Sequence, residues 1–240
     1  MEAFLLAAGL GTRLRPLTDT RPKALVEIDG TTLLELNIRH LTLAGASRIV
    51  VNVHHFADQV IDFIQSRTWD TEVLISDERQ LLLDTGGGLR HAAPLFSGTE
   101  PILIHNVDIL SHVPLQQMVQ QHVDSMSIAT LAVSERKTSR YLLFEGERLI
   151  GWENVGTGEQ RWVDKPHDSY KRLAFSGIAV VEPQLLTLLP EDDHPYPIIP
   201  EYLRIANHHA ISSLQHDADQ WIDVGKLDTI PLAAQFLPLD

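Results

Sequence analysis

Residues 3–25, AFLLAAGLGTRLRPLTDTRPKAL, contain the features that decide the fold. The apolar run at residues 3–8 is typical of a buried strand in a parallel sheet. Two glycines, Gly9 and Gly11, follow directly, and such glycines let a backbone approach a ligand closely. A proline-set segment then presents Lys23. The stretch therefore predicts a buried strand, a glycine-rich loop and a segment that exposes a cation.

Positive charge is concentrated in this loop. Arg13 and Arg15 follow the glycines, and Lys23 comes after Pro22. Arginine matches phosphate with a rigid fork of donors, lysine adds a compact charge, and consecutive loop amides form a nest for anions. The loop therefore favours a polyphosphate ligand, although Arg15 could equally pair with a nearby carboxylate.

Two common phosphate loops do not fit the sequence. A P-loop needs a lysine directly after its second glycine, whereas Lys23 comes twelve residues after Gly11. A dinucleotide fingerprint needs a third glycine where Leu14 stands, and an acid at the end of the second strand, where residues 52–54 are Asn-Val-His. The phosphate-binding loop therefore belongs to another class.

The composition narrows the possible partners. The chain has 240 residues, 44% of them hydrophobic, which suits one α/β domain with an ordinary core. Its net charge of −13 argues against nucleic acid or an anionic membrane as a partner. There are no cysteines, and no signal peptide or membrane span is expected from the apolar runs. We expect a cytoplasmic protein, and the oligomeric state is not indicated.

The order of predicted elements indicates an α/β fold. Strands are expected at residues 3–8, 48–53, 72–75 and 101–105, and helices at 31–44, 56–65 and after the triple glycine up to about residue 93. This alternation predicts a mostly parallel sheet with helices on both faces, hence three layers. Ligands of such sheets bind at the carboxyl ends of the strands.

The second half of the chain is less regular. We expect strands at residues 127–133 and 175–181, a hairpin over residues 141–152, a polar loop over 154–170 and helices near 183–189 and 201–206. No linker or repeat divides the sequence. We therefore predict a single domain over residues 1–240, with a first half at 1–125 and a second half at 126–240.

The string LAAGLGTRLRPLT at residues 6–18, followed by PKAL at 22–25, resembles the sugar-1-phosphate nucleotidyltransferase family. These enzymes make nucleotide-sugars from an NTP and a sugar 1-phosphate. The resemblance implies a Rossmann-like, GT-A-like nucleotidyltransferase fold whose second half is a mixed β acceptor lobe. Within the family, the chain is most similar to the short N-acetylmuramic acid 1-phosphate uridylyltransferases, which implies UTP and that sugar phosphate as substrates and a role in cell-wall recycling.

Several other functions are weighed against this interpretation. Mannose-1-phosphate guanylyltransferase and phosphocholine cytidylyltransferase are the enzymatic alternatives. A non-catalytic nucleotide-sugar-binding module would have lost Lys23 or an aspartate, and these are present. A glycosyltransferase would need an Asp-x-Asp motif where residues 106–108 are Asn-Val-Asp.

The implied reaction brings several anions together, so it requires cations and a metal. Mg²⁺ is the expected cofactor, held by Asp108 after an apolar strand and by Asp223 in a Trp-x-Asp-x-Gly match. Lys23 is expected to bridge the NTP α-phosphate and the sugar phosphate, and Arg13 to hold the β- and γ-phosphates. The two pairs of adjacent histidines do not indicate a metal site.

The resemblance also implies two binding sets. The nucleotide-binding set is Ala7, Ala8, Gly9, Gly11, Thr12, Arg13, Thr85, Gly86, Gly87 and Asp108. The sugar-phosphate-binding set is Lys23, Arg140, Lys165 and Gly177. Lys165 belongs to an Asp-Lys-Pro match at residues 164–166, and Arg140 is the candidate partner of the carboxylate on N-acetylmuramic acid.

Overall fold

The structure is a computed structural model that describes residues 1–165, 169–191 and 194–239. Its strands are β1 Glu2–Leu6, β2 Glu27–Ile28, β3 Thr31–Thr32, β4 Arg48–Val53, β5 Glu72–Asp77, β6 Ile102–Asn106, β7 Ile109–Ser111, β8 Ala129–Ser134, β9 Arg140–Glu145, β10 Arg148–Asn154, β11 Glu159–Trp162, β12 Lys171–Val181, β13 Ile211–Gln215 and β14 Trp221–Asp223. Its helices are α1 Leu33–Leu43, α2 Ala57–Gln65, α3 Asp84–Ala92, α4 Leu115–Ser125, α5 Pro183–Leu188, α6 Ile198–Ile205 and α7 Ile230–Ala233.

A parallel sheet forms the first half of the chain, as predicted. The strands lie in the order β6-β1-β4-β5, and each neighbouring pair is parallel. Successive residues of β1 point to opposite faces of the sheet. Leu5 belongs to the apolar cluster that includes α1 and α2, whereas Phe4 belongs to the one that includes α3, α5 and α6. The three-layer α/β class is therefore confirmed.

Helix α1 shows how the local sequence produces this arrangement. Thr32 is the N-cap residue, and its hydroxyl accepts a hydrogen bond of 3.2 Å from the Glu35 amide. Leu34, Ile38 and Leu41 lie on one face and are buried against the sheet. From the sequence we expect a cap at Thr31 or Thr32 and an apolar face of Leu33, Leu36, Leu41 and Ala44. The Thr32 cap and the burial of Leu33 and Leu41 are confirmed, whereas Leu36 and Ala44 are only partly buried.

Strand β12 joins the two halves of the chain. Its last residues pair antiparallel with β6, its first three residues pair with β9, and β8 lies alongside it. The sheet thus continues from the parallel strands into the antiparallel β9, β10 and β11, with β13 added parallel to β8. This mixed sheet is the predicted β acceptor lobe. Its continuity supports the prediction of one domain, whose division near residue 125 stays a prediction.

Two local predictions are corrected. The predicted loop at residues 154–170 contains strand β11, an edge strand whose exposed, polar residues give no apolar alternation. Helix α3 begins at Asp84 and includes the triple glycine, which we expected to precede it. Glycine is unfavourable inside helices, and these glycines are accepted there because they are buried in close packing. None of the described helices is long and apolar enough to cross a membrane.

Two buried histidines lie at the strand that leads to Asp108, one in the strand itself and one in a helix close to it. His40 of α1 and His105 of β6 are 3% and 0% exposed, and their ring centroids are 6.3 Å apart. Neither nitrogen of His40 has a hydrogen-bond partner among the described residues. Burial lowers the pKa of His40 to about 4 and that of His105 to about 3, so both are neutral at pH 7.

This burial should make the fold sensitive to acid. The unfolded chain protonates these histidines near pH 6.5, whereas the folded chain resists protonation down to their lowered pKa values. The free energy of unfolding should therefore fall as pH drops from about 6.5 towards 4, by a few kcal/mol in total. Urea denaturation at pH 7 and pH 5 measures the change. His40→Leu should flatten this dependence, whereas the exposed control His208→Leu should not; equal slopes in both variants would contradict the assignment.

Candidate active site

A buried asparagine holds the start of the glycine-rich loop. Where β1 ends, the amides of Ala7 and Ala8 donate to Oδ1 of Asn52, at 2.6 and 3.2 Å. Nδ2 of Asn52 donates in turn to Oε1 of buried Glu78, at 2.7 Å. Asn52 therefore ties the loop after β1 to the adjacent strand β4 and, through Glu78, to the end of β5.

The loop then turns sharply at Gly11. Its φ of 63° lies in the left-handed region, and its carbonyl accepts a hydrogen bond of 2.8 Å from the Thr18 hydroxyl. A Cβ at this position would lie 2.9 Å from Cγ2 of Thr18 and 3.0 Å from Cβ of Lys23. Gly11 thus lets the loop fold back against the segment that carries Lys23. Thr12 and Arg13 follow in a short 3-10 turn.

The four predicted catalytic residues meet at the carboxyl edge of the sheet. Lys23 forms an ion pair with Oδ2 of Asp108, and both side chains are largely buried. A guanidinium nitrogen of Arg13 lies 3.6 Å from Oδ2 of Asp223. The amide of Val224 donates to the Asp108 carbonyl at 2.8 Å, which links the two carboxylate-bearing segments. Two cations thus face two carboxylates in a protein with a net charge of −13.

The environment of Asp223 suits a divalent cation. Burial, followed by the negative charge of Asp108, raises the pKa of Asp223, while Lys23 and Arg13 act in the opposite direction. Its buried Oδ1 has no hydrogen-bond partner among the described residues. A cation between the two carboxylates would satisfy this oxygen. In the described part of the chain no cluster of three metal-binding side chains occurs, so phosphate oxygens and water would complete the shell, as Mg²⁺ prefers.

A cavity of about 470 Å³ opens beside these residues. Its lining includes Ala8, Gly9, Lys23, Thr85 and Asp108 from the predicted sets, together with Leu6, Asn52, Leu82, Asp84, Asn106, Val107 and Pro195. The walls thus come from the ends of β1, β4 and β6 and from the start of α3. Such a position at the carboxyl ends of parallel strands is where α/β sheets bind ligands.

Gly86 and Gly87 do not line this cavity. Both are buried in α3, and their amides donate to the Tyr196 carbonyl at 2.9 and 3.3 Å. A Cβ on Gly86 would lie 2.5 Å from Cε2 of Tyr196. These glycines therefore hold the segment around Tyr196 against α3, and within the Thr-Gly-Gly-Gly stretch it is Thr85 that lines the cavity. A direct contact of either glycine with a nucleobase stays a prediction.

The predicted acceptor residues have different surroundings. Gly177, with a φ of 74°, lies at an irregularity of β12, where a Cβ would be 2.8 Å from Nδ2 of Asn106. Gly177 is thus packed next to the cavity wall. Arg140 and Lys165 are solvent-exposed and do not line the cavity. Their roles stay predictions, and Pro166 of the Asp-Lys-Pro match lies outside the described residues.

Sequence reasoning missed several residues of this site. Asn52 and Asn106 stand at or near the ends of parallel strands, and that placement is the signal that would have found them. Glu78 follows β5 in the same way.

Comparison with known proteins identifies the class. The nucleotidyl transferase family matches residues 2–238, and the chain belongs to this family. It is a sugar-1-phosphate nucleotidyltransferase.

The chain is 32% identical over 234 residues to the N-acetylmuramate alpha-1-phosphate uridylyltransferase of Caulobacter vibrioides, covering 93% of this chain and 91% of that protein. The enzyme of the same name from Neisseria meningitidis is 26% identical over 94% of this chain and 93% of its own. The apo structure of a UDP-glucose pyrophosphorylase, 19% identical, matches the fold with a TM-score of 0.74 over 98% of this chain and 97% of its own.

The network around Asn52 can be tested by Asn52→Leu. The substitution leaves the Ala7 and Ala8 amides and the Glu78 carboxyl without their partner, so it should lower the free energy of unfolding by about 2–4 kcal/mol. It should also raise the KM for the NTP, because the loop after β1 loses its anchor. The exposed control Gln117→Leu, whose side chain makes no hydrogen bond to a described residue, should cost about 0.5 kcal/mol or less. Denaturant titration and steady-state kinetics measure both effects, and an Asn52→Leu enzyme with an unchanged KM would remove Asn52 from the binding site.

Proposed function

We propose that the enzyme transfers a uridylyl group from UTP to N-acetylmuramic acid 1-phosphate, giving UDP-N-acetylmuramic acid and pyrophosphate. The observation that carries the nucleotidyl transfer is the pairing of Lys23 with Asp108 and of Arg13 with Asp223 beside the cavity. The choice of UTP and of this sugar is supported by the names of the relatives from Caulobacter vibrioides and Neisseria meningitidis. A cytoplasmic location is part of the proposal, since NTPs are made there.

The reaction needs no general base. An oxygen of the sugar phosphate, already anionic at pH 7, attacks the α-phosphorus of the NTP, and the bond to the β-phosphate oxygen breaks as pyrophosphate leaves. The barrier lies in bringing these anions together, so catalysis rests on positioning and on fixed positive charge. Lys23 is largely buried and can approach both reacting phosphates, whereas the more exposed Arg13 suits the departing pyrophosphate.

Asp108 and Asp223 are the residues that would hold Mg²⁺. When bound, the cation supplies Lewis-acid stabilisation of charge on the phosphate oxygens. Lys23 provides charge that balances Asp108, and Arg13 charge that balances Asp223. The loop amides from Gly9 onwards would contribute further donors.

A substrate panel tests the proposal. With Mg²⁺, pyrophosphate release should have its highest kcat/KM for UTP with N-acetylmuramic acid 1-phosphate, by about tenfold or more over the other pairs. The panel should include all four NTPs with N-acetylglucosamine, glucose and mannose 1-phosphates, and CTP with phosphocholine. A preference for GTP with mannose 1-phosphate would make the protein a guanylyltransferase, and a preference for CTP with phosphocholine a cytidylyltransferase. Binding without turnover of any pair would favour a non-catalytic module.

The carboxylates can be tested separately. Asp108→Asn and Asp223→Asn should each lower kcat roughly a hundredfold or more while leaving the fold intact, because each removes a charged metal ligand. EDTA should abolish turnover of the wild type, and excess Mg²⁺ should restore it. Full activity of either variant would remove that residue from the metal site, and turnover in the presence of EDTA would exclude the metal mechanism.

A further inference from the structure

A second cavity lies in the acceptor half of the protein. It has a volume of about 530 Å³ and shares no lining residue with the cavity beside Asp108. The charged side chains of its lining are Glu135, Arg136, Lys137, Lys171 and Arg172. Four cations against one carboxylate form an unusual surface in a protein whose net charge is −13.

Arg136 connects this cavity with the catalytic edge. Its guanidinium stacks on the ring of Trp221, 4.1 Å from the ring centroid, and donates a hydrogen bond to the Phe175 carbonyl. Trp221 lies two residues before Asp223 in β14, and its indole nitrogen donates to the Ser176 carbonyl at 2.7 Å. These contacts fix the guanidinium beside the strand that carries Gly177, between the second cavity and the carboxylate of Asp223.

The Arg136 guanidinium has no carboxylate partner within 4 Å among the described residues. The negative charge that acts on it most strongly is that of Asp223, and its buried Nε makes no hydrogen bond to any described residue. Burial lowers its pKa, although an arginine still carries its charge at pH 7. A half-buried cation held in one orientation with a free donor suits an anionic ligand, because such a ligand would satisfy both the charge and the donor.

The neighbouring cations differ in whether they already have a partner within the protein. Arg172 is neutralised by an ion pair with the buried carboxylate of Glu153. Lys171 donates to the side-chain oxygen of Gln215 at 3.3 Å, and across the described ranges neither it nor Lys137 forms an ion pair. Arg136 is thus the cation that its contacts hold in one place, with Lys137 and Lys171 as an exposed positive rim.

We propose that this second cavity is a subsite for a carboxylate that the acceptor carries in addition to its phosphate, and that Arg136 determines the specificity for it. The inference rests on the proposed function, since a sugar 1-phosphate with a lactyl carboxylate has the required second anion. It also separates two tasks: Lys23 receives the phosphate common to all acceptors, and Arg136 receives the group that distinguishes this one. An acceptor without this carboxylate makes no ion pair with Arg136 and therefore gains no affinity from it.

The first test changes the protein. Arg136→Gln should raise the KM for N-acetylmuramic acid 1-phosphate about tenfold or more and that for N-acetylglucosamine 1-phosphate by about twofold or less. Arg136→Lys should restore part of the loss, because it keeps the charge without the fork. Arg148→Gln is the matched control, since this exposed arginine of the same lobe already pairs with Asp164, at 3.5 Å.

Equal losses on both sugars would place Arg136 at the shared phosphate or in the framework and overturn the subsite. A larger selective loss in Arg140→Ala would assign the role to Arg140 instead and overturn the proposal as well.

The second test changes only the substrate, so it does not depend on whether a variant folds. The carboxamide analogue of N-acetylmuramic acid 1-phosphate has nearly the same shape but no charge, and its KM with the wild-type enzyme should be about tenfold higher or more. Equal KM values for acid and amide would overturn the subsite while leaving the uridylyltransferase function intact. A wild-type enzyme that uses only uncharged sugars would overturn both the acceptor in the proposed function and the subsite.

Discussion

Opposing charges brought together at one sheet edge are the constraint on which the site depends. Lys23 and Arg13 come from the loop after β1, whereas Asp108 and Asp223 come from distant parts of the chain. The partly buried charges of Lys23, Asp108 and Asp223 are tolerated because each faces an opposite charge, whereas Arg13 is exposed. Lys23 and Arg13 favour the ionised form of Asp223, which is the form a metal needs, although burial and the charge of Asp108 outweigh them and raise its pKa. The fold therefore assembles a site for anions while its overall charge is strongly negative.

Strand β12 is the element that joins the parallel sheet of the first half to the antiparallel strands of the second half. Its second part continues the parallel sheet as an antiparallel neighbour of β6, and its first part supports the hairpin of β9 and β10. Gly177 lies at the irregularity between these parts and packs closely on Asn106. The acceptor lobe is thus attached through a continuous hydrogen-bonded strand and not through a hinge, which favours a fixed relation between the phosphate and sugar ends of the site.

The sequence alone predicted those features that a local pattern of residues encodes. The apolar strands and the cap of α1 follow from local patterns, and Lys23, Arg13 and Asp108 were expected together because the loop after β1 and the end of β6 share one edge of the parallel sheet. Asp223 was expected from its motif alone, since it lies in the antiparallel strand β14. Strand β11 was not, since an edge strand exposed along its length has no apolar alternation. The packing role of Gly86 depends on Tyr196, which is 110 residues away in the sequence, and Arg136 depends on Trp221 in the same way. Such contacts exist only after folding, so no spacing rule reveals them.

The close packing of α3 on the segment around Tyr196 also bears on how such enzymes diverge. That segment belongs to the second half of the chain, yet its Pro195 lines the cavity formed by the first half. This part of the cavity wall therefore comes from the second half of the chain. In a chimera that combined this first half with the second half of another family member, the cavity at this position would be lined by residues of the other protein. Donor and acceptor preferences are thus physically linked, and recombination between relatives would tend to alter both together.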